Sequence, residues 1–273
     1  MRNVWALPEL AGSARFAIVG AIILAGGRSS RLGGIAKAAL LVGGVSLLSG
    51  TVDAARGALH AGERSQVRRP SIVVVGPVQQ LLSLLGPSGA GGESSPEASV
   101  PSTIPAPEVL LVREDPPYSG PAAAMAAGLA LLTGTATAGA APDTGAGGEC
   151  VLVLACDMPH VSTVVSSLLR RLETAAAEHL PQGVEGWLAS DQGRDQPLAA
   201  VYRMAPLLRA VELARASGSL KNASVFRLIA SLDLVRVDVP AGSTADVDSW
   251  GDAAALGIDG IPGLSPPDAA DDE

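Results

Sequence analysis

Residues 21–34 read AIILAGGRSSRLGG, and a lone lysine, Lys37, follows three residues later. An apolar run ends here in a glycine pair and a cluster of positive charge. Glycine lets a backbone come close to a ligand and turn its N–H groups toward it. At the end of a first strand in an α/β protein, such a turn is a place for phosphate. The stretch contains neither a Gly-Lys-Ser/Thr sequence nor the dinucleotide pattern GxGxxG. On its own it fits equally a glycine-rich connection carrying surface arginines. Asp157 directly follows the apolar run Val151–Ala155 and Cys156. An acid at a parallel strand's C-terminal edge faces the crevice where ligands sit; it also fits a turn cap ahead of Pro159. Asp246 and Asp248 share one face if their segment is extended, and they fit a capped loop before a last helix as well. Cys156 has no histidine and acid beside it in sequence that would make it a nucleophile, and reads as a small buried residue.

The elements that must position these residues are written in the hydrophobic pattern. Strand-like runs recur at Ile18–Leu24, Ser71–Val75, Val109–Val112, Val151–Ala155, Gly186–Ala189, Leu198–Tyr202 and Leu234–Val239. Most are continuous apolar stretches, as in strands buried on both faces. Helical spacing separates many of them. Leu47, Leu48, Val52, Ala55 and Leu59 form one stripe; Val164, Val165, Leu168, Leu169 and Leu172 form another, with Ser162 as its expected cap. Asn222 is the expected cap of a helix that presents Phe226, Ile229 and Ala230. This alternation predicts an α/β fold with a mainly parallel sheet. Residues 1–16 have no clear period and read as an extension. Residues 86–108 and 133–149, rich in Gly, Ala, Ser, Thr and Pro, read as mobile insertions in one domain spanning 17–258. Residues 259–273 read as a disordered acidic tail.

The chain of 273 residues is 48% hydrophobic with a formal net charge of −8, which is the composition of a folded domain. Four acids lie in the last six residues, and no basic patch speaks for nucleic-acid binding. The apolar run Ala17–Ala25 is far shorter than the ~20 residues that cross a bilayer. Arg15 precedes it and no signal-cleavage pattern follows, so the expectation is a soluble, cytoplasmic protein without a membrane partner. Cys150 and Cys156 on one strand would stand roughly 20 Å apart at ~3.3 Å per residue, too far for a disulfide, so two free thiols are expected. His60, His160 and His179 show no zinc-ligand spacing.

Taken together, the motifs resemble those of the molybdenum-cofactor guanylyltransferase family, nucleotidyltransferases with the sugar-nucleotide pyrophosphorylase-like fold. LAGGRSSRLGGIAK at 24–37 resembles the family's glycine signature, and VVVGP at 73–77 its second strand. REDPPYSGPAAAMAAGL at 113–129, LVLACDMPHVS at 152–162 and RDQPLAAVYR at 194–203 resemble its Asp…Gly-Pro, Cys-Asp-Met-Pro and Gln-Pro-Leu segments. Residues 219–256 look like its closing region. Together the six cover about residues 18–257, in the family's order.

The resemblance implies a three-layer, Rossmann-like nucleotidyltransferase fold. It implies transfer of GMP from GTP to molybdopterin with release of pyrophosphate, using Mg²⁺. Leu24, Ala25, Gly26, Gly27, Arg28 and Ser29 would wrap the nucleotide. Arg31 and Lys37 would neutralise its triphosphate. Asp115 would contact the guanosine, with Gly120 and Pro121 shaping the base pocket. Asp157 would hold the metal, with Asp246 favoured over Asp248 as the second ligand. Arg194, Gln196 and Lys221 would receive the acceptor. Its partners would be GTP, molybdopterin or molybdenum cofactor, and, transiently, the maturation proteins of molybdoenzymes. One departure stands out: the acid that the family places before the lysine is Ala36 here. That leaves two other readings open. One is cytidylyl transfer to the same pterin, or guanylyl transfer to another small phosphate. The other is a nucleotide-binding accessory protein without catalysis.

Overall fold

The computed structural model describes residues 16–27, 30–61, 71–85, 108–134, 148–177 and 183–261. The expectations for residues 1–15, Arg28, Ser29, 86–107, 135–147 and 262–273 lie outside the described residues. Seven strands form one sheet: β1 (Phe16–Leu24), β4 (Ser71–Val75), β5 (Glu108–Val112), β6 (Gly148–Ala155), β7 (Gly186–Asp191), β8 (Arg194–Arg203) and β9 (Leu234–Asp238). Their order is β5-β4-β1-β6-β8-β7-β9. Only β8 runs against its neighbours, β6 and β7; the other pairings are parallel. A small hairpin, β2 (Leu41–Val42) with β3 (Val45–Ser46), lies apart from the sheet.

Side-chain alternation sorts the sheet into two buried faces. Ala21 and Ile23 of β1, Ile72 and Val74 of β4, and Leu152 and Leu154 of β6 point to one face. There they meet α1 (Leu47–Ala61), α2 (Val78–Leu85) and α4 (Val161–Ala177). Ile22 and Leu24, Val73 and Val75, and Val151 and Val153 point to the other. There α3 (Pro121–Gly134), α5 (Met204–Ala216) and α6 (Val225–Ile229) cover them. The result is the expected three-layer α/β fold. No helix among the described residues is long and apolar enough to cross a membrane, and neither Cys150 nor Cys156 is in a disulfide.

A third apolar cluster lies beside the sheet. Leu32, Leu40, Leu47, Val247, Ala253 and Ile258 pack together, tying the segment after the glycines to α7 (Trp250–Ala255) and its approach. This cluster draws in residues expected to be tail. The Asp259 N–H donates to the Leu41 carbonyl at 2.8 Å, and the Leu41 N–H donates to the Gly260 carbonyl at 2.9 Å. Asp259 Oδ2 accepts the Gly44 N–H at 3.2 Å. Ile258 and Ile261 belong to this cluster or pack against it. Other edges shift too: β1 starts at Phe16, β5 at Glu108 and β6 at Gly148, and α3 runs to Gly134.

Two caps differ from expectation. Helix α4 begins at Val161, which places Ser162 inside its first turn. Asn222 adopts a left-handed φ of 57° and gives its N–H to the Ser119 carbonyl at 2.7 Å. Ser224 caps α6 instead, its hydroxyl accepting the Arg227 N–H. Val225, Leu228 and Ile229 form the buried face of that helix, leaving Phe226 exposed.

Helix α3 lies close to the sheet because Gly128 faces it. A Cβ at Gly128 would stand 2.6 Å from Ile22 Cγ2 and 3.0 Å from Val75 Cγ2. Both neighbours are β-branched and stiff. Gly128→Ala gains about 1 kcal/mol of helix propensity against overpacking of roughly 1–3 kcal/mol. The expected outcome is a melting temperature a few degrees lower. A melt at or above that of the natural protein would show that Ile22 and Val75 can move aside.

Candidate functional site

The chain runs β1, β4, β5 outward to one side and then crosses back to place β6 on the other side of β1. Ligands in open α/β sheets bind at such a reversal, at the strands' C-terminal ends. A cleft of about 1420 Å³ opens there. The end of β1 contributes Leu24, Ala25, Gly26 and Gly27; the end of β6 contributes Asp157. Between β1 and β4 the backbones come very close. The Ala25 N–H donates to the Val75 carbonyl at 2.8 Å and the Gly76 N–H to the Val112 carbonyl at 2.9 Å. A Cβ at Gly76 would lie 2.9 Å from the Ala25 carbonyl oxygen, so glycine there is a requirement of the glycine loop's own position.

Three carboxylates converge across the loop. Asp157, Asp246 and Asp248 each present an oxygen within 4.8 Å of the others. The Lys37 ammonium donates to Asp157 Oδ2 at 2.9 Å and to Asp248 Oδ1 at 2.5 Å. Arg31 stands 3.9 Å from the other oxygen of Asp248, exposed to solvent. Lys37 comes from a short 3₁₀ turn, Lys37–Ala39, whose Ala38 is buried. Asp246 and Asp248 flank Val247, which is fully buried in the third cluster and whose N–H donates to the carbonyl of Asp157 at 3.2 Å. With Val247 turned inward, extended backbone turns both of its neighbours outward.

The charges respond to one another. Desolvation alone would lower the Lys37 pKa; the facing Asp157 and Asp248 carboxylates outweigh it and hold the ammonium above its ordinary value. Asp246 lines the cleft and is exposed to solvent. Desolvation and the charges of Asp157 and Asp248 push its carboxyl upward. Burial pushes the Cys156 thiol far up, and Asp157 adds to that, so it stays protonated and unreactive.

Most of the sequence-derived site residues line this cleft: Leu24, Ala25, Gly26, Gly27, Arg31, Lys37, Gly120, Pro121, Asp157, Arg194, Gln196 and Asp246. Arg28 and Ser29 lie outside the described residues. Two others, Asp115 and Lys221, are not among the residues that line it. Asp115 is exposed in the turn after β5, and it is Glu114 that faces the cleft. The Glu114 carboxylate accepts the Tyr118 N–H at 2.9 Å, which turns this side of the loop inward. Lys221 is exposed and is not among the cleft's lining residues; its turn packs behind Gly120, where Asn222 Cα would lie 3.3 Å from an added Cβ.

Sequence reasoning missed three further lining residues, Glu114, Tyr118 and, on the wall of Arg194 and Gln196, Asp191. Asp191 closes the β7–β8 hairpin in front of Gln192 and Gly193, both with positive φ, as a tight type I′ turn requires. Its spelling, Asp-Gln-Gly, reads as an ordinary turn. Its partner in space, Thr244, is 53 residues away in sequence, which no local pattern reveals.

Removing the Lys37 ammonium leaves the cluster uncompensated. Both Lys37 and Asp157 are about four-fifths buried as side chains, between the exposed and buried limits for ion pairs. Lys37→Ala is expected to lower stability at pH 7 by about 2 kcal/mol, a fall of roughly 4–8 °C in melting temperature. The sign of the pH dependence follows from the raised pKa. The stabilisation is full below the ordinary lysine value of 10.5 and is lost as pH rises through the folded value. Melts of the two proteins should therefore converge above pH 10.5. A gap that stays constant through that range would show that the ammonium is not what holds the cluster.

The sequence matches the profile of the MobA-like NTP transferase domain over residues 21–231. That segment includes the glycine loop, Lys37, Asp157 and Asp191, and ends before Asp246 and Asp248. Among curated proteins, none matches significantly. Among solved structures, the fold is similar to Rv0371c from Mycobacterium tuberculosis H37Rv, with TM-score 0.51 and 17% identity, over 89% of this chain and 98% of that one. It is also similar to the inositol-1-phosphate CTP transferase from T. maritima, with TM-score 0.51 and 12% identity, over 89% and 95%. At these identities the likeness is one of fold. The profile covers most of the chain, and the cleft lies where the fold demands it: the chain belongs to the MobA-like NTP transferase family and is a nucleotidyltransferase domain.

Proposed function

We propose that the chain transfers GMP from GTP to molybdopterin, releasing pyrophosphate. The observation that carries this reading is the meeting of Lys37 with Asp157 and Asp248 beside the glycine loop. An acceptor phosphate oxygen attacks the α-phosphorus in line; the bond to the β-phosphate oxygen breaks, and pyrophosphate departs with that electron pair. The barrier is mainly one of charge and orientation. Backbone N–H groups of the glycine loop hold the phosphates. Arg31 and Lys37 offset the charge that builds on the leaving group. Arg194 and Gln196, on the opposite wall, receive the acceptor.

The donor set fits Mg²⁺, since three carboxylates supply hard oxygens within reach of one another and a cationic group, the Lys37 ammonium, already sits on two of them. Asp157, Asp246 and Asp248 would hold the ion. Once bound, it would supply charge neutralisation for the attacking and leaving oxygens.

A specific observation favours a second reading. Asp115, which the resemblance assigned to guanosine, is exposed in the turn after β5 and outside the cleft's lining, whereas its neighbour Glu114 lines the cleft. A carboxylate acceptor suits the amino group of cytosine as well as the N1 and N2 donors of guanine. Cytidylyl transfer to a small phosphate, the chemistry named for the T. maritima protein of the same fold, is therefore the competing proposal.

Two measurements decide. A thermal-shift series with GTP, CTP, ATP or UTP and Mg²⁺ reads the base, because a ligand that binds only the folded state raises its melting temperature. GTP is expected to give the largest shift; a larger one with CTP would replace the guanylyl reading. Pyrophosphate release with molybdopterin then reads the acceptor. Asp157→Asn should keep the fold and lose turnover by about 10²-fold or more. Turnover like the natural protein's in a folded Asp157→Asn variant would remove Asp157 from the catalytic site.

A further inference from the structure

Asp191 is the only charged side chain among the described residues that is buried, at 6% exposure. Burying a carboxylate is unfavourable unless its oxygens are satisfied. No salt bridge to it is present among the described residues. Its charge is met chiefly by donors from one segment, the irregular stretch between β9 and α7, with the side chain of its neighbour Gln192 as a further donor. Oδ1 accepts the Gly242 N–H at 3.1 Å. Oδ2 accepts the Thr244 N–H at 3.1 Å and the Thr244 hydroxyl at 2.9 Å. Burial would raise its pKa, and these donors outweigh that and hold it below the ordinary value.

The segment so gripped carries Asp246 and Asp248. It starts where the Val239 N–H meets the Ser190 carbonyl, one residue before Asp191, at 3.1 Å. Farther along it is pinned by the Val247 N–H on the Asp157 carbonyl. Between these points its own backbone hydrogen bonds among the described residues are those of turns, Ser243 N–H to the Pro240 carbonyl and Ala245 N–H to the Gly242 carbonyl. The path from Val239 to Asp246 therefore depends on Asp191 for its course.

We propose that Asp191 is a positioning residue: it fixes the 240–245 turn so that Asp246 and Asp248 meet Asp157 as one cation-binding group. The inference rests on the metal reading proposed above and extends it to a residue that touches none of the three carboxylates. Asn has nearly the same shape, but its amide nitrogen donates where the pocket also donates. Either orientation of the amide sets an N–H₂ against a fixed backbone donor, the Gly242 N–H or the Thr244 N–H. Asp191→Asn should therefore loosen the turn without emptying space.

The test is Mn²⁺ binding to the full chain, read by electron paramagnetic resonance at low temperature, with melting curves alongside. Asp191→Asn is expected to bind Mn²⁺ at least tenfold more weakly while still folded. Thr244→Val, which removes only the hydroxyl, should weaken it about threefold, and Thr244→Ser should restore it. A role in stability alone would lower the melting temperature and leave Mn²⁺ affinity unchanged below the melt. A folded Asp191→Asn variant with the natural affinity overturns the proposal. If that variant does not fold, Thr244→Val decides in the same way. Asp157→Asn separates the two readings. If it loses Mn²⁺ and Asp191→Asn does not, only the positioning role falls. If Asp157→Asn binds like the natural protein, or the natural protein binds no Mn²⁺, the metal reading falls and this inference with it.

Discussion

The Lys37 ammonium joins three pieces of chain that are remote in sequence. Its own 3₁₀ turn follows the glycine loop, Asp157 lies just past the end of β6, 120 residues away, and Asp248 lies 211 residues from it. Without a cation at this point, three carboxylates within 4.8 Å of one another would repel, and repulsion between groups that are partly desolvated is not screened as it is at an open surface. The cleft exists in this form because one positive group stands where negative charge is concentrated. Everything that brings that group and those carboxylates together is in this sense a requirement of the site.

Two kinds of packing meet that requirement. The sheet supplies the coarse placement, since β1 and β6 pair in parallel through Leu24 and Ala155 and so bring the glycine loop and Asp157 out at the same level. The Cys156 N–H donates to the Leu24 carbonyl at 3.1 Å, which extends the register one step beyond the strands. The third apolar cluster supplies the rest. Leu32 and Leu40 bracket Lys37 in sequence, and Val247 lies between Asp246 and Asp248, and all three apolar side chains are buried in that cluster. Apolar burial is non-directional, so the cluster alone brings these segments near without orienting them. Orientation comes from hydrogen bonds, chiefly Val247 to Asp157 and Gly242 and Thr244 to Asp191.

That division explains what could be read from the sequence. Each of the seven strands contains an apolar run, and the central ones, covered on both faces, have no polar positions to blur them, whereas the polar first half of β8, Arg194–Gln196, lay outside the run read from sequence. Asp157 was legible because its place depends only on the strand directly before it. Asp246 and Asp248 were legible as a pair sharing a face, since two-residue spacing in extended chain is a local property. Asn222 was misread as a cap because its left-handed conformation serves a contact with Ser119, 103 residues away in the other segment. Asp115 and Glu114 are adjacent, and in an irregular turn nothing local decides which of two neighbours faces a cleft. Asp191 was invisible because its function in the fold lies wholly with Gly242 and Thr244. Local pattern reveals elements and their ends; it does not reveal which end meets which.

Ala36 shows how the two levels combine. Judged by resemblance, a missing acid beside the lysine is a defect in the site. In the structure, the lysine's charge is already met by Asp157 and Asp248, so an acid at 36 is not needed to hold the ammonium. What position 36 does is begin the 3₁₀ turn: it is the N-terminal cap of Lys37–Ala39, in extended conformation, and has no side-chain hydrogen bond. Its carbonyl accepts the Ala39 N–H at 2.9 Å. A side-chain acceptor at a helix cap is worth about 0.5–2 kcal/mol, and a single 3₁₀ turn anchored by buried Ala38 and Leu40 can stand without it. The departure at Ala36 therefore removes a local cap and leaves the charge arrangement of the cleft intact, which weakens the case for a non-catalytic protein on that residue alone.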